Sequence, residues 1–150
     1  MKSKLKVALV AFASIALSLS GLTAAQATSY SVSVSPSEGL KSGDTITLTV
    51  NGLSGSLGVY ASVCLAGETQ MDLPTVCDDA TVSWITGTGA MGSSTSPHDI
   101  VVSATFSDGE DDVDCTVQDC VVYVRGDHNN SGDFSLIRAP QLFFVAGGAA

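Results

Sequence analysis

Thr45-Ile46-Thr47-Leu48-Thr49-Val50 alternates without a break, with threonines on one side and Ile46, Leu48 and Val50 on the other. Only an extended chain places every second residue on the same face, so this stretch reads as a half-buried strand with its aliphatic side inward. Tyr30-Ser31-Val32-Ser33-Val34 repeats the pattern, and β-rich runs follow at 59–65, 81–85, 100–106, 113–117, 120–124 and 142–145. Turn-forming clusters separate them, among them Pro36-Ser37-Glu38-Gly39, Asn51-Gly52 and Asp108-Gly109. No window beyond residue 28 keeps apolar residues at helical spacing over three turns, so no sizeable helix is expected. Seven or eight short strands at this spacing predict an all-β antiparallel sandwich.

The chain has 150 residues, 45% of them hydrophobic, which suits one globular core. Residues 1–6 carry Lys2, Lys4 and Lys6, residues 7–22 are apolar or small, and Ala25-Gln26-Ala27 supplies a small-x-small cleavage site. The segment 1–27 is therefore read as a secretory signal and 28–150 as the mature domain, starting at Thr28. The apolar run is short for a retained anchor, no Cys follows it for lipid attachment, and the apolar run at 142–150 is too short to cross a bilayer. The expectation is a secreted protein, extracellular or associated with the cell envelope, with no membrane partner once the signal is removed. Beyond residue 27 only Lys41, Arg125 and Arg138 oppose 15 acids, a formal charge of −12. Such a surface repels nucleic acids and anionic membranes, so direct nucleic-acid binding is not expected, and it favours a monomer.

Export places Cys64, Cys77, Cys115 and Cys120 in an oxidising compartment, where two disulfides are the default. No pair has zinc-type C-x₂-C spacing and neither His is grouped with them, so no metal site is predicted. An antibody-type domain would join Cys64 to Cys115 or Cys120 across the sheets. Trp84 lies late for that pattern, and neither Gln118 nor Val113 supplies the tyrosine two residues before the second Cys. Local pairing explains more: Cys115–Cys120 as a turn staple, and Cys64–Cys77 around a turn-rich loop with Gly67 and Pro74. Closing that second loop contributes roughly 3 kcal/mol in the chain-entropy picture.

Several segments in order then carry a family resemblance. They are Ser33-Val34-Ser35-Pro36-Ser37-Glu38-Gly39-Leu40, the strand 44–53, the first Cys pair, Gly92-Ser93-Ser94-Thr95-Ser96, and Val113-Asp114-Cys115-Thr116 leading to Cys120. Together they resemble the neocarzinostatin-like apoproteins, secreted carriers of enediyne antibiotic chromophores. The resemblance implies a seven-stranded immunoglobulin-like antiparallel sandwich with a small β-ribbon subdomain. It also implies a cleft for a small hydrophobic ligand, a non-covalent apolar chromophore, with the first disulfide in its floor. Cys64, Ala66, Thr75, Cys77, Val82 and Phe106 are the lining it assigns. Chromophore carriers have aromatic residues at the positions of Ala66 and Val82, and Phe106 approximately retains a third. Each lost stacking partner is worth about 0.5–1.5 kcal/mol. The aromatics of this chain are otherwise expected mostly in the core.

Other constellations are weaker. Asp127-His128-Asn129-Asn130-Ser131-Gly132-Asp133 follows the first half of an EF-hand-type calcium loop, but Arg138 stands where a bidentate Glu belongs. The loop therefore reads as a polar hairpin connection. The run from Asp108 through Glu110, Asp111 and Asp112 to Asp114 reads as a solvated acidic loop. No G-x-S-x-G, H-E-x-x-H, P-loop or dinucleotide fingerprint is present, and His98 and His128 read as exposed loop residues. No enzyme activity is expected. The expected function is carriage of an apolar molecule, antibiotic or antimicrobial by resemblance, with any action on DNA belonging to the ligand. The alternative is a secreted immunoglobulin-like interaction module without a small ligand.

Overall fold

The computed structural model describes residues 30–67, 73–74 and 76–146. The predicted signal segment and Thr75 lie outside the described residues. The alternating stretch forms β2 (Thr45–Asn51), the middle strand of a three-stranded antiparallel sheet between β1 (Ser31–Ser35) and β5 (His98–Val101). Ile46 and Leu48 are fully buried and Val50 nearly so, while the threonines stay on the solvent side. A four-stranded antiparallel sheet faces it, in the order β4 (Ser83–Thr86), β3 (Gly58–Leu65), β8 (Cys120–Gly126), β9 (Gln141–Leu142). Its inner face supplies Val59, Ala61, Val63, Ile85, Val122 and Val124 to the same core as Ile46, Leu48 and Ile100. Burying each large aliphatic side chain contributes about 1.5–3 kcal/mol, and the aromatic-poor core is built almost wholly from them. A two-stranded ribbon, β6 (Thr105–Ser107) with β7 (Asp112–Asp114), completes the fold.

Both disulfides are local: Cys64–Cys77 and Cys115–Cys120. The first ties the end of β3 to the segment leading into β4, where Leu65 N–H donates to Val76 C=O (2.9 Å) and Asp78 N–H to Val63 C=O (2.8 Å). The second spans the tight turn between β7 and β8 and so fastens the ribbon to the sandwich.

Four expected strands differ in extent. The run 100–106 divides because residues beyond β5 bond to the turn before β2, with Ala104 N–H donating to Ser42 Oγ (2.8 Å), before the chain crosses into β6. The run 113–117 stops at Asp114, whose carboxylate takes hydrogen bonds from the Thr116 amide (2.9 Å) and hydroxyl (2.6 Å) and bends the chain into a turn. Thr81 leaves the strand for a 3₁₀ turn at Asp79–Thr81 capped by Asp78. Beyond Leu142 the chain departs from β8, and Val145 N–H donates to Leu40 C=O instead (2.9 Å). The only helical turns among the described residues are three such 3₁₀ segments.

The aromatics depart from the expected core placement. Tyr30 and Phe144 join the main core, whereas Tyr60, Trp84 and Phe106 are half-buried and Phe134 and Phe143 are exposed. The reason is the parity of the strands: Tyr60 lies between Val59 and Ala61, both inward, so its ring points outward. Trp84 pairs directly across from it. His98 is also no loop residue; it sits half-buried in β5 and shares a 3.0 Å hydrogen bond with Ser83 Oγ of the opposite sheet. Asp99 takes one from Thr47 (2.7 Å) on the other side, so the neighbours His98 and Asp99 are parted as extended backbone requires.

Candidate functional site

The outer face of the four-stranded sheet carries the candidate site. Tyr60, Ser62 and Cys64 alternate along β3 on that face, and register places Arg125 opposite Tyr60, Tyr123 opposite Ser62 and Val121 opposite Cys64. Across the other edge, Thr81 accepts from Val63 N–H (2.8 Å) and donates to Asp78 C=O (2.7 Å), which fixes the segment carrying Val82 beside β3. Between these elements opens a cleft of about 370 Å³, within the range of small-ligand sites. Its floor includes the Cys64–Cys77 bridge, its apolar walls Leu73, Pro74 and Val82, and its far side Tyr60, Tyr123 and Arg125. Leu73 and Val82 are 59% and 57% exposed, apolar surface left uncovered at the rim.

The polar groups here are few. Tyr123 is buried, yet its hydroxyl finds no hydrogen-bond partner among the described residues. Burial raises its pKa above the ordinary phenol value, and the Arg125 charge pulls the other way, so the phenol stays a neutral donor across physiological pH. The Arg125 guanidinium lies 5.9 Å from the Tyr60 ring centroid, a cation–π arrangement. Tyr60, Trp84 and His128 form a tilted aromatic group at one end, with Tyr60 and His128 Nδ1 sharing a 3.1 Å hydrogen bond. Trp84 Nε1 donates to the buried Asp127 carboxylate (3.1 Å), whose other oxygen accepts from the Asn129 amide (3.0 Å).

The sequence-assigned lining is divided by the structure. Cys64, Cys77 and Val82 meet in this cleft. Ala66 packs beside it, against Cys64, Val121 and Tyr123, without lining it. Phe106 lies in a separate groove of about 390 Å³ on the ribbon, with Val113 and Gln118. Thr75 lies outside the described residues. The cleft is lined as well by Tyr60, Tyr123 and Arg125, which the sequence reading did not assign to it. Alternation through Cys64 signals Tyr60 and Ser62, but Tyr123 and Arg125 require the β3–β8 register, which no local pattern specifies.

In the two acidic loops Asp108, Asp114, Asp127 and Asp133 accept hydrogen bonds from neighbouring amides. Amides of Asp111 and Glu110 hold the Asp108 carboxyl below its usual range, and the Thr116 hydroxyl and amide do the same for Asp114. Asp133 accepts from the Ser135 amide (3.0 Å). Among the described residues no group of three His, Cys, Asp or Glu side chains is arranged to hold a metal ion.

With this geometry in view, comparison with known proteins is decisive. The profile of the Neocarzinostatin family matches residues 32–137. The chain belongs to the neocarzinostatin family. Among solved structures, macromomycin aligns over 78% of this chain and 100% of its own, with a TM-score of 0.55 and 24% identity. Apokedarcidin aligns over 79% of this chain and 99% of its own, with a TM-score of 0.51 and 22% identity. No curated protein sequence matches. At 24% and 22% identity these two structures carry the fold, which here is the neocarzinostatin-type fold. That fold and its two disulfides point to an extracellular protein, and none of the described helices is long and apolar enough to cross a membrane.

Proposed function

We propose that this chain is a secreted carrier that holds a small apolar molecule, without covalent attachment, in the cleft on the outer face of its four-stranded sheet. The observation that carries the reading is the uncovered apolar wall of Leu73 and Val82 facing the Cys64–Cys77 bridge across about 370 Å³. Burial of a ligand there releases water from apolar surface on both partners, a gain of about 25 cal/mol per Å² before the cost of association. In the same stroke the ligand is shielded from bulk solvent and solutes. Ala66 and Val82 offer no stacking ring, and in this chain the half-buried Tyr60 of β3 is the aromatic side chain best placed to take that part.

The protein acts as host and protector, and any chemistry on a cellular target belongs to the guest. Two measurements test this. Absorbance and mass spectra of the solvent-extractable fraction from protein purified in its native host should reveal a non-protein chromophore. Separately, Leu73→Glu and Val82→Glu, at exposed positions that leave the core untouched, should each weaken binding of a neutral apolar dye about tenfold. A clean preparation with no dye binding would leave the interaction-module reading in place.

A further inference from the structure

Beyond residue 27 the chain has three cations, and each has a distinct situation. Arg138 is occupied: its guanidinium donates to the carbonyls of Ser135 (2.8 Å) and Ile137 (2.7 Å) and lies over the Tyr30 ring. Lys41 is exposed at the turn before β2. Arg125 instead lines the cleft, exposed, and among the described residues it has no ion pair and shares that lining with no carboxylate. The acid-rich surface of the molecule therefore gives way to a locally cationic wall. Fixed charges further than about 8 Å away are largely screened at physiological ionic strength, so Arg125, on the cleft wall itself, is a charge that acts directly on a guest there.

Geometry adds two groups. The Arg125 guanidinium lies over the Tyr60 ring, 5.9 Å from its centroid, and the buried Tyr123 hydroxyl, two residues along β8 on the same face, is a donor without a partner among the described residues. A flat guanidinium and a phenol on one wall, opposite apolar Val82 and Leu73, make a two-donor site for oxygen acceptors at the edge of an apolar body.

We propose that the cleft selects apolar ring compounds bearing an anionic oxygen group, a carboxylate, sulfonate or phenolate, with Arg125 as counter-ion. This rests on the carrier reading and narrows it to a ligand class. It also runs against the protein's net charge, which by itself favours neutral or cationic guests.

A matched pair of fluorescent probes tests it: 8-anilinonaphthalene-1-sulfonate, and N-phenyl-1-naphthylamine, which has the same ring body without the sulfonate. Titrated into the disulfide-bonded protein at low salt, the sulfonate should bind about tenfold more tightly than the neutral probe, and Arg125→Gln should abolish that preference. A circular-dichroism spectrum and a melting temperature close to those of the wild type certify that the variant is folded. Lys41→Gln, the same change in net charge away from the cleft, should alter neither probe. Equal affinities in the wild type, or a preference that survives Arg125→Gln, would overturn the anion assignment and leave the carrier reading standing. If neither probe bound, the carrier reading would fall with it.

Discussion

Asp127 is the most buried carboxylate among the described residues, at 1% exposure, and it earns that position through the indole of Trp84 and the amide of Asn129. It also explains a glycine: a Cβ on Gly58 would stand 2.3 Å from Asp127 Oδ2, so β3 must begin without a side chain. Replacing Asp127 by Ala leaves a buried indole N–H and a main-chain amide without acceptors, and should destabilise the fold by about 1–3 kcal/mol in chemical denaturation. Asp127→Asn, which keeps an oxygen at the site, should cost less. Tyr30 is the second residue of this kind. It is buried, donates its hydroxyl to the Leu136 carbonyl, and burial pushes its pKa up to about 12, with the Arg138 charge opposing the rise. The folded state thus keeps a proton that the unfolded chain loses near pH 10, so the stability from this group is intact below pH 10 and falls as pH rises toward 12. The loss should be roughly 2 kcal/mol after allowance for screening. Thermal melts at pH 8 and pH 11 would show it, and Tyr30→Phe should flatten that part of the pH dependence.

At the scale of elements, the two disulfides do different work despite both being local. Cys64–Cys77 spans 13 residues and holds the cleft floor against β3, whereas Cys115–Cys120 spans 5 and anchors the ribbon. Chain entropy alone gives about 3 kcal/mol for the longer loop and about 2 kcal/mol for the shorter. The Cys64→Ala/Cys77→Ala variant should therefore lose more stability, and it should also lose dye binding, while Cys115→Ala/Cys120→Ala should retain most of the binding. Much of this arrangement was legible beforehand. Period-2 runs such as Thr45 to Val50 announce their own buried face, and the spacing of Cys115 and Cys120 leaves little room for anything but a turn. The cleft was less legible, because its walls come from strands whose register is a tertiary property. Phe106 looked equivalent to Val82 in the linear sequence, yet the crossing from β5 to β6 carries it into the ribbon groove. Trp84 looked like a sandwich core residue, and only its pairing with Tyr60 shows that it faces outward.

For the whole molecule, charge and core pull in opposite directions. Three bases against 15 acids beyond residue 27 make the compact state self-repelling, and no ion pair among the described residues depends on low salt for its strength. Raising ionic strength from about 0.01 M to 1 M shortens the Debye length from about 30 Å to about 3 Å, which relieves the repulsion. The melting temperature at pH 7 should accordingly rise with sodium chloride, a trend that differential scanning calorimetry would establish; a fall would mean that surface attraction outweighs repulsion. The aliphatic make-up of the interior has a practical corollary. The chain contains one tryptophan, Trp84, and its ring lies 6.3 Å, centroid to centroid, from that of Tyr60, which lines the cleft. Its ultraviolet emission therefore originates one ring away from the cleft, and energy transfer from this built-in donor to an absorbing guest would follow loading and unloading in unlabelled protein.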